Sequence, residues 1–165
     1  MPGTWHFYAD DYRFTALWGA PYRVPNTQCA AVIEPNFSTA PDQPAAVALW
    51  GTYRKRWLAR WWQECGVDVW ADLNVAPQHA EVNLLGLPPG WGAFACRAWR
   101  YGLLDIDIAV QRALEHCQPT DPRVLLYGGG RDAARLAEHR GWLWAPEQSD
   151  EARGRAAPAS VRGAD

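Results

Sequence analysis

The strongest constraint on this chain is an alternation between short runs that are apolar on both faces and stretches whose apolar residues recur every three or four positions. A strand with one wet face alternates apolar and polar residues. A run apolar on both faces is buried on both, as the strands of a parallel sheet are. Residues 29–33, 67–71, 93–96 and 124–127 are such runs, and 5–9 and 142–144 are weaker candidates at the two ends. Parallel neighbours need long crossovers, which helices supply. The expectation is an α/β fold, a mostly parallel sheet of about five to six strands with flanking helices, either doubly wound or a partial (β/α) barrel.

The clearest helical stretch is 44–65. Asp42 can cap its free N–H groups, Pro44 suits its first turn, and Gly66 suits the left-handed position after its end. Val47, Trp50, Tyr53, Trp57, Trp61 and Cys65 form one apolar stripe, expected to face the core. Arg54, Lys55, Arg56 and Arg60 then form a solvated basic face without an acidic partner, although basic and aromatic residues so mixed can also grip phosphates and stack bases. Further helices are expected over 103–117, closed by Pro119, and over 131–140, opened by Gly128-Gly129-Gly130 and stopped by Gly141. Residues 77–91 carry weak strand character at 81–85 and a Pro88-Pro89-Gly90 turn, and are expected to cover a sheet edge. From Glu147 onward no apolar period remains, so one domain over 1–146 with a disordered tail over 147–165 is expected.

At 165 residues the chain can bury a core without a metal or disulfide staple. Its net charge of −2 lacks the cationic footprint of a phosphate-backbone binder, so nucleic acid is a possible partner that the charge does not favour. Cys29, Cys65, Cys96 and Cys117 lack zinc-knuckle or redox spacing and read as buried free thiols. His6, His79, His116 and His139 are scattered, so no metal site is expected, and no motif names a cofactor. Neither a leader pattern nor a run near the ~18 apolar residues of a membrane span is visible, which gives a cytoplasmic expectation with no membrane. The 11 tryptophans are expected to fill the core, with a minority able to form a stacking or docking face.

Ligands of parallel α/β folds bind beyond the carboxyl ends of the strands. That rule nominates Asp10, Asp11 and Arg13, then Glu34, Asn36 and Ser38, then Asp72 and Asn74, then Arg97, then Tyr127 and its glycines, with Arg54 from the long helix as a cationic partner. Asp10-Asp11 can hold a cation or supply a base, or be a turn cap ion-paired with Arg13. Glu34-Pro35-Asn36-Phe37-Ser38 can hydrogen-bond a ligand or simply shape a turn. Glu34 and Asp72 could serve as acid and base in glycosidic hydrolysis, given the right separation. Gly128-Gly129-Gly130 sits where phosphates bind, yet lacks the G-x-G-x-x-G spacing and the P-loop lysine.

Phe7-Tyr8-Ala9-Asp10-Asp11-Tyr12-Arg13-Phe14, Glu34-Pro35-Asn36-Phe37-Ser38, the 44–66 segment with Leu49-Trp50, Tyr53-Arg54 and Arg56-Trp57, and Tyr127-Gly128 occur in the order of a known family. Over roughly residues 5 to 130 the chain resembles the family called domain of unknown function forty-four seventeen. Its members occur in bacteria, phages and plasmids, some with labels tied to replication. The resemblance implies a mobile-element origin and a single α/β domain, and no established activity. The family pattern usually reads Thr-Pro-Asp-Phe-Ser at 34–38, so a carboxylate is missing at Asn36. Many relatives carry tryptophan where Asp72-Leu73-Asn74 stands here. The His-hydrophobe-His motif of a rolling-circle nickase is absent from this sequence.

The first expectation is thus a phage- or plasmid-type accessory domain that binds a ligand or partner at the strand ends. A small hydrolase or transferase acting on a nucleotide or sugar, with Asp10 or Glu34 as base, is the second. A tryptophan-rich protein-interaction module, or a replication-associated nucleic-acid factor, is the third.

Overall fold

The computed structural model describes residues 3–98 and 102–147, so most of the expected tail lies outside the described residues. Six strands form one sheet: β1 Thr4–Trp5, β2 Ala31–Ile33, β3 Asp68–Asp72, β4 Ala93–Arg97, β5 Arg123–Tyr127 and β6 Leu143–Ala145. Their spatial order follows the chain, β1-β2-β3-β4-β5-β6, and every neighbouring pair is parallel. Parallel crossovers are right-handed, so an order that never reverses puts every crossover on the same side of the sheet. A doubly wound sheet needs a reversal. The fold is the other alternative, a curled half-barrel.

The curl shows in contacts between strands far apart in the sheet. The His6 and Tyr127 rings lie 4.6 Å apart and Tyr8 stacks on Tyr127, joining the chain after β1 to β5. Arg97, at the end of β4, donates to the Tyr8 carbonyl at 3.0 Å. Side chains alternate along each strand. Ala31, Ile33, Trp70, Ala95 and Tyr127 point inward with Tyr8. Their neighbours Val32, Val69, Phe94 and Leu126 point outward into the helix layer.

That layer holds α1 Ala45–Glu64, α2 Ala80–Leu84, α3 Leu103–Cys117 and α4 Gly130–Arg140. The link from β1 to β2 is instead four 3-10 turns, Asp11–Arg13, Thr15–Trp18, Pro21–Arg23 and Pro25–Thr27. Pro21 and Pro25 each open a new turn, because proline lacks the N–H that would continue the preceding one. Trp62 of α1 donates its indole N–H to the Pro21 carbonyl at 2.9 Å, tying this crossover to the helix.

Four expectations need correction. First, residues 81–85 lie mostly in the short helix α2, after a 3-10 turn at Pro77–His79, because a β3-to-β4 crossover belongs in the helix layer. Second, Asp42 does not cap α1: Pro44 occupies the cap position and no side chain bonds the free N–H groups. Third, Cys96 and Cys117 are buried but Cys65 is exposed, one residue past α1.

The fourth correction concerns α1 itself. Its buried residues are Ala48, Gly51, Thr52, Lys55, Leu58, Ala59 and Trp62, while Trp50, Tyr53 and Trp57 are 48%, 52% and 38% exposed. Both stripes have helical spacing, but the one with small residues faces the sheet. Small side chains let the helix approach closely, and a Cβ on Gly51 would stand 3.5 Å from that of Phe37. The expected basic face is split: Lys55 is buried, Arg54 and Arg56 are half-buried, and Arg60 lies in solvent paired with Glu64.

Candidate functional site

Two polar layers occupy the carboxyl end of the sheet. The inner one begins with Glu34, one residue past β2, and Asp72, the last residue of β3. They are 1% and 0% exposed. A buried carboxylate is costly unless it is paired and hydrogen-bonded. Both are. Arg56 forms an ion pair with Glu34 and also donates to the Asn83 and Leu85 carbonyls. Glu34 Oε2 also accepts the Asp72 amide at 3.1 Å. Lys55 Nζ donates to the Asp72 carbonyl at 2.8 Å and to its carboxylate at 3.3 Å. Asn74 donates to the other carboxylate oxygen from its backbone at 3.2 Å and its side chain at 2.7 Å.

The chain continues from there, since Asn74 Oδ1 accepts the Arg97 amide at 3.1 Å and Arg97 forms an ion pair with Glu147. Burial pushes the Asp72 carboxyl up from its ordinary range and the Lys55 ammonium down, and each charge opposes the other's shift. The Tyr8 hydroxyl is buried beside Asp72 and Asn74. Burial, and then the charge of Asp72, raises its pKa well above the ordinary value.

The outer layer holds most of the remaining nominated residues. Asp11 accepts from Ser38 twice, from its hydroxyl at 2.9 Å and its amide at 3.1 Å, which fastens the first crossover to the loop after β2. Asp10 and Arg13 form an exposed pair at 3.8 Å. Asn36 is half-buried in the same loop. Arg54 stacks its guanidinium 3.8 Å over the Phe37 ring and 5.6 Å from that of Trp50. Its burial lowers its pKa, an effect the Asp11 charge opposes.

The nominated residues therefore divide. Asp11, Ser38 and Arg54 gather in one exposed group with Asp10, Arg13 and Asn36 nearby, whereas Glu34 and Asp72 lie beneath, engaged by Arg56 and Lys55. The basic run read as lacking acidic partners has three: Asp72, Glu34 and Glu64. Asn74 and Arg97, both expected at strand ends, complete the inner network together with Asn83, which the strand-end rule does not reach. Period alone could not find Asn83, but the sole lysine of a chain with fifteen arginines was visible in the sequence. Among the described residues no group of three or more His, Cys, Asp or Glu could hold a metal ion.

Beside the outer layer runs the turned-out face of α1. Trp18, from the first crossover, meets Trp50, Tyr53 and Trp57 at ring separations of 5.6, 6.0 and 4.9 Å. Trp50 and Tyr53 stack on each other at 5.6 Å. The result is a continuous aromatic surface, joined to the polar rim through Arg54. No helix among the described residues is long and apolar enough to cross a membrane.

Comparison with known proteins locates this arrangement in a family. The family model described as Domain of unknown function (DUF4417) matches residues 2–94, which hold β1 to β3, α1 and both polar layers except Arg97 and Glu147. The chain is 35% identical over 136 residues to the Gene 1 protein of Mycobacterium phage D29, covering 77% of this chain and 48% of that protein. It is 32% identical over 135 residues to the Gene 1 protein of Mycobacterium phage L5, covering 77% of this chain and 57% of that protein. The chain thus spans about half the length of the curated relatives it matches. No solved structure matches it. On the family match and these phage relatives, the chain belongs to the family Domain of unknown function (DUF4417).

Proposed function

We propose that this domain is a phage-type accessory module that docks protein, and that a second copy of the chain occupies the outward aromatic face of α1. The observation that carries the reading is the outward turn of Trp50, Tyr53 and Trp57 around Trp18, on a helix whose other side is already packed. Protein interfaces join an aromatic centre to a polar rim, and tryptophan, tyrosine and arginine supply most of their binding energy. The strand-end group nominated as a ligand site, Asp10, Asp11, Arg13, Asn36, Ser38 and Arg54, becomes that rim.

Charge favours protein over nucleic acid here. Arg13 is paired with Asp10 and Arg60 with Glu64, and Asp11 lies near Arg54, so the face is close to neutral. Phosphate binding needs unpaired cations. A near-neutral aromatic patch can meet its own copy across a twofold axis without repulsion. Each half-exposed aromatic offers on the order of 100 Å². With Val47, Leu49 and the rim, the face approaches the ~800 Å² per partner of a standard interface. A hydrolase or transferase reading with Glu34 as base is weaker, because Arg56 and the Asp72 amide already engage that carboxylate.

Sedimentation velocity over a concentration series tests the proposal. The wild-type chain is expected to pass from monomer to dimer, and Tyr53→Glu to weaken the dimer by about 30-fold or more, the effect of losing one central aromatic. At concentrations low enough to leave both chains monomeric, its thermal midpoint should match that of the wild type. A wild-type chain that stays monomeric throughout, or a Tyr53→Glu variant that dimerises equally well, would overturn the reading.

A further inference from the structure

The helix layer is uneven. α1 has 20 residues and α3 has 15, but α2 between them has only 5. A single turn and a half cannot cover the outer face of β3 and β4 along its whole length. Next to it, toward the carboxyl ends of those strands, lies a cavity of about 230 Å³. It is a cleft open to solvent along α3, where Asp105, Ile108 and Arg112 are exposed, so a ligand can enter it.

Most of the cavity wall is apolar, with Leu73, Val75, Ile106 and Ala109 among its residues. Asp105 and Arg112 of α3 provide the charge. They are seven residues apart, two turns along one helix face, or about 10 Å. Both are exposed, and neither forms an ion pair or side-chain hydrogen bond with another described residue. Asp107, between them, faces differently and is taken by Arg140 of α4. Apolar walls with a few polar groups on the carboxyl side of a parallel sheet are the usual setting of a small-molecule site.

We infer that this cavity binds a small amphipathic anion, a flat or short apolar body carrying a carboxylate or phosphate, with Arg112 pairing the anionic group. The cavity holds the body, since an apolar hole of about 150 Å³ already accepts benzene. Arginine is suited to the head group because its guanidinium can donate two parallel hydrogen bonds to such an anion. Asp105, at the first turn of α3, disfavours a second negative charge at the far end and accepts from a donor there. The site is separate from the aromatic face of α1 and does not depend on the docking proposal.

Fluorine NMR with 4-(trifluoromethyl)benzoate as probe tests the inference. Saturable binding to the wild-type chain is expected, weaker by about tenfold in Arg112→Ala, the loss of one charge-assisted contact. Ala109→Phe, which fills the cavity, should abolish binding, and Tyr53→Glu should leave it unchanged. The neutral analogue 4-(trifluoromethyl)benzyl alcohol should bind more weakly than the benzoate. Should Ala109→Phe fail to fold, the solvent-exposed Arg112→Ala still decides. Absence of binding up to about 1 mM, the weak end of specific affinity, overturns the inference. So does equal affinity in Arg112→Ala, or alcohol binding as tight as benzoate.

Discussion

Lys55→Met is expected to destabilise the domain by about 3–5 kcal/mol, because it leaves the Asp72 carboxylate buried without its cation. Against the ~5–15 kcal/mol of a whole domain, that loss moves a urea midpoint far. Asp72→Asn added to Lys55→Met should recover much of the loss. The amide keeps an acceptor for Asn74 and removes the charge that lacks a partner. The deficit should also depend on pH. In the wild type, burial raises the Asp72 pKa and Lys55 opposes the rise, so removing Lys55 enlarges it. A raised folded pKa favours the fold below the unfolded value of about 4, and that contribution is lost as pH climbs through the folded value. The Lys55→Met deficit should therefore be smallest near pH 4 and grow toward neutrality. A pH-independent deficit, or no recovery in the double variant, would show that Lys55 acts through its packed stem instead.

This pairing explains why α1 sits against its expected orientation. Lys55 lies about half a turn round the helix from Trp50, Tyr53 and Trp57. The cation and the tryptophans cannot all face the sheet. Leaving an aromatic half-exposed forfeits part of the ~1.5–3 kcal/mol its full burial yields. Leaving Glu34 and Asp72 buried and unpaired costs several kcal/mol for each. The ions therefore set the rotation, and the small stripe at Ala48, Gly51, Thr52 and Ala59 lets the helix close on the sheet once it has turned.

The same comparison marks what could be read from the residues. Five strand positions, the three longer helices and the parallel direction were legible, because burial on both faces and crossover length leave local signatures; the first strand, expected over 5–9, is instead Thr4–Trp5. The choice between half-barrel and doubly wound sheet was not, since it depends on spatial order, which no local pattern encodes. The stripe of α1 was misassigned because hydrophobic period ranks tryptophan above lysine for burial. Only the fold reveals that two strand-end carboxylates lie beneath the helix. The short α2 was read as strand because five residues sample too little of either period. At the site, Asp11, Ser38 and Arg54 were legible as a strand-end group. The engagement of Glu34 by Arg56, 22 positions away, was not.

Gly129→Ala is the second large effect, expected at about 2–5 kcal/mol from two sources that add. Gly129 lies in the left-handed region at φ +71°, where an L residue gives up roughly 1–2 kcal/mol. Its Cβ would also stand 2.4 Å from the Cβ of Ala98 and 2.7 Å from that of Ala133, and overpacking costs a further ~1–3 kcal/mol. Neither neighbour can swing aside, because an alanine methyl has no rotamer to change. Gly130→Ala separates the two sources: it too has positive φ, +64°, but its Cβ would meet nothing within 4 Å. It should show the backbone cost alone, about 1–2 kcal/mol. Ala98→Gly combined with Gly129→Ala should recover part of the steric loss, leaving the Ala133 contact in place. The glycine turn after β5, which resembles a phosphate cradle in sequence, would then owe Gly129 to the close approach of β4 and α4. Equal losses from Gly129→Ala and Gly130→Ala in a urea titration would remove that explanation and leave the backbone conformation as the sole reason for the glycine.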